Sequence, residues 1–195
     1  MTINEWDAYA GEWDSNTSTS VYADNAYREL AKIVKLDGQR VFDFGCGTGL
    51  LTERLSPDVH EIVALDGSLK MIEQLTLKKL PNVFPIVDFL TRKLITNNTL
   101  LHTKFDLITA SSVCGFLPDY EESLSLLRSL LKPQGVYAQW DWLSSDESSK
   151  GGFTERQVRK ALGNAGFEYI SVSQPFVMEG SPANLTVLMA AARSS

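Results

Sequence analysis

The chain has 195 residues, 44% hydrophobic and 22% charged, with a formal net charge of −6. That length suits one domain with a real core, and the composition excludes a disordered, collagen-like or disulfide-scaffold protein. The acidic balance disfavours a nucleic-acid partner: Lys78-Lys79 and Arg92-Lys93, the longest basic clusters, read as solvated surface.

The opening MTINEWDAYAGEWD has neither the basic nor the apolar region of a signal peptide, and no apolar run approaches a membrane span. A cytoplasmic location and no membrane partner are therefore expected. Trp6, Tyr9 and Trp13 recur at i, i+3, i+7 and predict a helix; Ala23, Tyr27, Leu30 and Val34 predict a second. The polar stretch 15–20 would link them. Short apolar strands follow at 40–44, 61–65, 83–87, 105–110 and 136–142, the first three separated by segments of crossover-helix length. Tyr120, Leu124, Leu127 and Leu131 mark a helix ending near Lys132-Pro133. Thr154 and Gln157 form a capping box for another, with Gly166 as its stop. The Ser/Asp/Gly-rich linker 143–152 should be mobile. Strands at 167–176 and 185–191 are joined by a loop too short for a parallel crossover, so they should form a hairpin. The expected fold is α/β: a doubly wound, seven-stranded, mostly parallel sheet, ending in an antiparallel strand, with an N-terminal helical lid. Residues 1–36 would form the lid and 37–195 the main body of one compact domain.

The chemistry concentrates at Val41-Phe42-Asp43-Phe44-Gly45-Cys46-Gly47-Thr48-Gly49. An apolar strand runs into three alternate glycines, which allow a sharp turn and close approach of a ligand to the backbone. The next strand ends at Asp66, 17 residues beyond Gly49, where an acid can accept both hydroxyls of a ribose. Together these point to an adenosine-containing cofactor. A P-loop would need Lys and Ser/Thr where Leu50-Leu51 stand. A dinucleotide site favours G-x-G-x-x-G, and Asp43 would repel its pyrophosphate. The carboxylate suits a ligand with an ammonium or sulfonium charge.

Asp43–Gly49 resembles motif I, D-x-G-x-G-x-G, of the class I S-adenosylmethionine (SAM)-dependent methyltransferases of small-molecule type. Leu65-Asp66-Gly67-Ser68, Asp88 after the third strand, Phe105–Ile108 running to Phe116–Asp119, and Leu131–Gly135 are similar to later landmarks of that family. Tyr9 to Asp14 is similar to its N-terminal lid. The resemblance implies SAM as cofactor and S-adenosyl-L-homocysteine as product. It implies ribose contact at Asp66 and adenine contact at Asp88. It extends the cofactor site to Trp13, Asp43, Gly45, Cys46, Gly47, Thr48, Gly49, Gly67, Met71, Phe89 and Ser111. Cys46 reads as a small loop residue rather than a nucleophile. Ala110–Cys114 stands where members that methylate bases or glutamine carry N/D-P-P-Y/F, which disfavours those substrates.

Trp140 and Trp142 should share one face of the fifth strand. With Tyr22 and Phe116 they would form an aromatic wall for a small-molecule acceptor. No histidine stands at these strand ends; Asp119 and Asp141 are the candidate bases. Catalysis should rest mainly on proximity and orientation. With two cysteines, Cys46 and Cys114, and two histidines, His60 and His102, no metal site is expected. The alternative function is a silent SAM-binding or scaffold subunit that activates a partner. A nicotinamide oxidoreductase is disfavoured by the glycine spacing. Either a monomer or a homodimer fits these features.

Overall fold

The apolar segments assemble as their connections require. In the computed structural model, which describes residues 2–147, 151–180 and 183–195, the strands are β1 (Arg40–Phe44), β2 (Glu61–Asp66), β3 (Val83–Val87), β4 (Phe105–Ser111), β5 (Leu131–Trp142), β6 (Phe167–Met178) and β7 (Leu185–Ser194). They form one sheet in the order β3-β2-β1-β4-β5-β7-β6. Paired neighbours among β1 to β5 run parallel, while β7 is antiparallel to both β5 and β6. The expected hairpin forms, but its antiparallel strand does not end the sheet: β7 inserts inside and β6 takes the edge. Burial explains this order, because Val187 to Ala190 are all buried whereas β6 is exposed along much of its length. At the other edge, Pro85 in β3 costs no interior ladder bond.

The helices are α1 (Ile3–Trp13), α2 (Thr17–Ile33), α3 (Leu50–Leu55), α4 (Leu69–Leu77), α5 (Arg92–Asn97), α6 (Tyr120–Leu130) and α7 (Glu155–Asn164). Residues of α2, α3 and α4 share one apolar core on one face of the sheet; α5, α6 and α7 contribute to the other. Strand alternation divides the two: Val41 joins the first, Phe42 and Phe44 the second.

Several boundaries differ from the sequence expectation. The link between the first two helices is only 14–16, because the Asn16 side chain accepts from Ser18 N–H at 2.9 Å and starts α2 at Thr17. Tyr9 is 52% exposed; the inward face of α1 is Trp6, Ala10 and Trp13. The short α5, capped by the Thr91 hydroxyl, lay in a stretch with little periodicity. Ser144 N–H donates to Phe153 O at 2.8 Å, tying together the ends of the 143–152 segment, of which 148–150 lie outside the described residues.

Trp140 requires the largest correction. It sits in mid-sheet opposite Ser111 of β4 and Met189 of β7, fully buried in the core that includes Tyr22, Ala26 and Leu30. It is a core residue, not part of an acceptor wall. Trp140→Ala is therefore expected to lower unfolding free energy by about 3–5 kcal/mol, the usual cost of a Trp-to-Ala cavity. Urea denaturation reads this directly; a variant as stable as the parent would contradict the core placement.

Candidate active site

The glycine loop turns off the end of β1 and closes against β2. Gly45 N–H and Cys46 N–H both donate to Leu65 O, at 2.8 and 3.1 Å. Asp66 holds the loop from the side: Gly47 N–H donates to its Oδ2 at 2.9 Å and Ser68 N–H to its Oδ1 at 2.8 Å. Each carboxylate oxygen keeps a lone pair for a ligand hydroxyl. Gly47 has φ 55°, and a Cβ there would meet no protein atom closer than Met71 Sδ at 4.0 Å. The space above it is a cradle that a side chain would fill.

Asp43 is buried beneath this loop. Thr52 and Thr109 hydroxyls donate to its two oxygens at 2.5 and 2.8 Å. Burial pushes its pKa up to about 6, against the pull of those two hydroxyls. A cation placed nearby would favour the charged carboxylate. Burial also raises the Asp66 pKa, and it raises the Cys46 thiol well above its ordinary range, which keeps that sulfur protonated.

Over the carboxyl ends of β1, β2 and β4 lies a cavity of about 1110 Å³, roofed by α1 and α2. Trp13, Asp43, Gly45, Cys46, Gly47, Thr48, Asp66, Gly67, Met71, Asp88, Phe89 and Ser111 border it. Tyr22, Phe116, Trp142 and Asp119 border it too. Pockets for one drug-sized ligand run to about 1,000 Å³, so this one has room for a cofactor and a second molecule. The aromatic lining falls into two groups: Trp6 meets Trp13 and Phe116 edge-on at 5.5 and 5.2 Å, and Tyr22 meets Trp142 at 5.4 Å.

Gly49 and Asp141, like Trp140, do not border the cavity. A Cβ on Gly49 would strike Leu75 Cδ1 at 2.3 Å, so this glycine serves the packing of α4. Asp141 points to the opposite face of β5 from Trp140. It accepts from Gly115 N–H at 3.3 Å and Gln139 Nε2 at 2.9 Å, and burial pushes its pKa up to about 7. It braces the loop after β4 and does not reach an acceptor, so the base role expected of it is withdrawn. Asp119 borders the cavity, but its Oδ1 caps α6 by accepting from Glu122 N–H at 2.8 Å.

Sequence reasoning missed the polar straps of the lid. Asp7 accepts from the Ser68 hydroxyl; Asp14 accepts from the Thr48 hydroxyl and pairs with Lys78 at 2.8 Å. Nothing in local spacing links these residues across more than thirty positions. It also missed Thr52 and Thr109, whose only signal is that they face a buried acid.

A doubly wound sheet with a hairpin β5-β7-β6 and an acid-flanked glycine loop is the architecture of class I SAM-dependent methyltransferases, and the matches to known proteins support that class. Residues 42–137 match the methyltransferase domain family. The cypemycin N-terminal methyltransferase of a Streptomyces species is 34% identical over 132 residues, 66% of this chain and 51% of that protein. A ubiquinone biosynthesis O-methyltransferase of Histophilus somni is 29% identical over 104 residues, 52% of this chain and 44% of that protein. The chain thus spans about half the length of these curated relatives. In structure, a DhpI–SAM–HEP complex superposes with TM-score 0.77 at 21% identity, covering 98% of this chain and 95% of the other. A SAM-dependent methyltransferase from Aquifex aeolicus gives 0.72 at 18% identity, each chain covered fully (100%).

Proposed function

We propose that the protein transfers a methyl group from SAM to a small-molecule acceptor. The observation that carries this reading is one cavity bordered both by a glycine cradle with Asp66 and Asp88 and by the aromatic side chains of Trp6, Trp13, Tyr22, Phe116 and Trp142. When bound, SAM supplies a sulfonium-activated methyl carbon: the acceptor's lone pair forms the new bond as the S–C bond breaks, leaving its electrons on sulfur in S-adenosyl-L-homocysteine.

The chain's own residues do the rest. Asp66 accepts the ribose hydroxyls with the lone pairs its amide partners leave free. Asp88 Oδ1 accepts from Phe89 N–H at 2.8 Å, leaving the other oxygen for the adenine amino group. Gly47 keeps the backbone bare where the cofactor lies. Asp43 supplies negative potential toward the cationic end. Trp13 covers the cofactor, while Phe116, Tyr22 and Trp142 enclose the acceptor, exclude water and hold it in line with the methyl carbon.

Calorimetric titration with S-adenosylhomocysteine and NAD tests the cofactor, and radiolabelled SAM with a metabolite library tests transfer. Binding of the first ligand but not the second, with label passed to a small molecule, is the expected result. Binding without transfer to any acceptor would favour a scaffold role.

The same reading makes α1 a lid, whereas α2, expected to share that role, belongs to the body: its Ala26 and Leu30 are fully buried in the core over the sheet. Hydrogen exchange at 6–14 should slow when S-adenosylhomocysteine is added, because ligand closes the cavity beneath α1. Equal exchange with and without ligand would make α1 a fixed structural helix.

A further inference from the structure

The turn that follows β4 is held from four sides. Ser112 has φ 56°, a left-handed backbone that is unfavourable for serine, and its N–H donates to Trp140 O at 2.7 Å. The Val113 side chain fills the space over Gly45, where an added Cβ would lie 2.3 Å from Val113 Cγ2. Cys114 and Gly115 bond the Asp141 carboxylate, and the Phe116 ring meets Trp6 of α1 edge-on at 5.2 Å. Strained backbone persists where its surroundings over-determine it, and such places cluster at functional sites. The Trp6–Phe116 contact joins α1 to this turn. Asp7 and Asp14 tie the same helix to Ser68, close to Asp66, and to Thr48 of the glycine loop. The lid thus touches both halves of the site.

Asp141 is the buried support of the turn, and its partners are all donors. They are Gln139 Nε2 at 2.9 Å, Gly115 N–H at 3.3 Å, and the N–H and thiol of Cys114. Gln139 cannot turn its amide over, because the Tyr120 and Tyr137 hydroxyls both donate to its Oε1, at 2.5 and 3.0 Å. An ionised carboxylate satisfies this ring of donors, whereas a protonated acid or an amide sets a hydrogen against one of them. The titratable groups around Asp141 are Cys114 on the turn, Tyr120 of α6, Tyr137 of β5 and Tyr22 of α2. Burial raises all four above their ordinary range, so they stay neutral where Asp141, pushed up to about 7, changes charge.

We propose that Asp141 is a positioning residue for methyl transfer: through Cys114 and Gly115 it holds Phe116 against Trp6, so that α1 closes on the turn after β4 as well as on the cofactor loops. This rests on the methyltransferase reading above, in which α1 is the lid. A lid docked on both halves keeps water from the sulfonium while the acceptor is in place.

The test is a double-mutant cycle on the release of S-adenosylhomocysteine, read by surface plasmon resonance at about pH 8, above the Asp141 titration. Asp141→Asn keeps the shape but sets an NH2 group against a donor. Trp6→Leu removes the lid's half of the ring contact. Each alone should speed release roughly three- to tenfold, and in the Trp6→Leu background Asp141→Asn should add less than about twofold, because the path it acts through is already cut. A core defect unconnected with the lid would instead multiply the rate equally in both backgrounds. That result, or parental release from either single variant, overturns the proposal. If Asp141→Asn does not fold, hydrogen exchange decides. With S-adenosylhomocysteine saturating, protection at 6–14, corrected for intrinsic exchange and referred to α7, should fall in the parent protein as pH drops from about 8 to 6, because the carboxylate form holds the turn and the protonated form releases it. The same series in Trp6→Leu should be flat, although Asp43 titrates in both proteins. Protection independent of pH, or falling equally in Trp6→Leu, overturns the proposal. Failure of S-adenosylhomocysteine to bind the parent protein would instead overturn the methyltransferase reading itself.

Discussion

Gly47→Val is expected to abolish SAM binding, at least a hundredfold loss by titration, while the circular dichroism spectrum is retained. Two effects of the substitution must be separated. Gly47 has φ 55°, so any side chain there is strained, by about 1–2 kcal/mol in the left-handed region. That strain alone would cost stability, not affinity. The second effect is steric. An added Cβ meets only Met71 Sδ, at 4.0 Å, so the valine methyl groups project into cavity space and not into protein. Gly38 supplies the control, because it has φ 76° with nothing within 4 Å and lies in the loop before β1, away from the cavity. Gly38→Val should show the strain in its melting temperature with parental SAM affinity. Equal affinity in both variants would place the cofactor elsewhere.

The contrast between Gly47 and Gly49 shows what the sequence could carry. Alternate glycines after an apolar strand identify a backbone turn built for close approach. Which glycine faces the ligand and which faces a neighbouring helix depends on Leu75, a residue 26 positions away from Gly49. The parallel sheet was legible for a similar local reason: crossover lengths force β1 to β3 to run parallel. The position of β7 was not, because a short loop makes two strands neighbours without saying which one meets β5. Trp140 and Trp142 illustrate the limit of alternation. Period two correctly puts both on one face, yet it carries no information about depth. Trp142 reaches the cavity at the strand's end, whereas Trp140, two residues earlier, is roofed by α2. Spacing likewise put Tyr9 on the apolar face of α1, but Ala10 turns inward and Tyr9 is exposed, which follows from the docking of α1 against α4.

Asp66→Ala is expected to weaken SAM binding by at least about tenfold, and the structure adds a second consequence. The carboxylate accepts from Gly47 N–H and Ser68 N–H, so its removal leaves two amides at the cradle without that partner. Hydrogen bonds to a charged acceptor are worth roughly 1.5–3 kcal/mol each. Losing even one ribose contact therefore gives about tenfold, since about 1.4 kcal/mol is a factor of ten. The loop bonds should appear separately as a lower melting temperature in the ligand-free protein. A ligand cycle distinguishes the two contributions. The parent protein should prefer S-adenosylhomocysteine over its 2′-deoxy analogue. In Asp66→Ala that preference should vanish if the carboxylate binds the ribose, because the coupling term isolates the pair from any general loosening of the loop. A variant that loses affinity for both ligands equally, with the preference intact, would leave Asp66 as a brace for the glycine loop and assign the ribose to another residue.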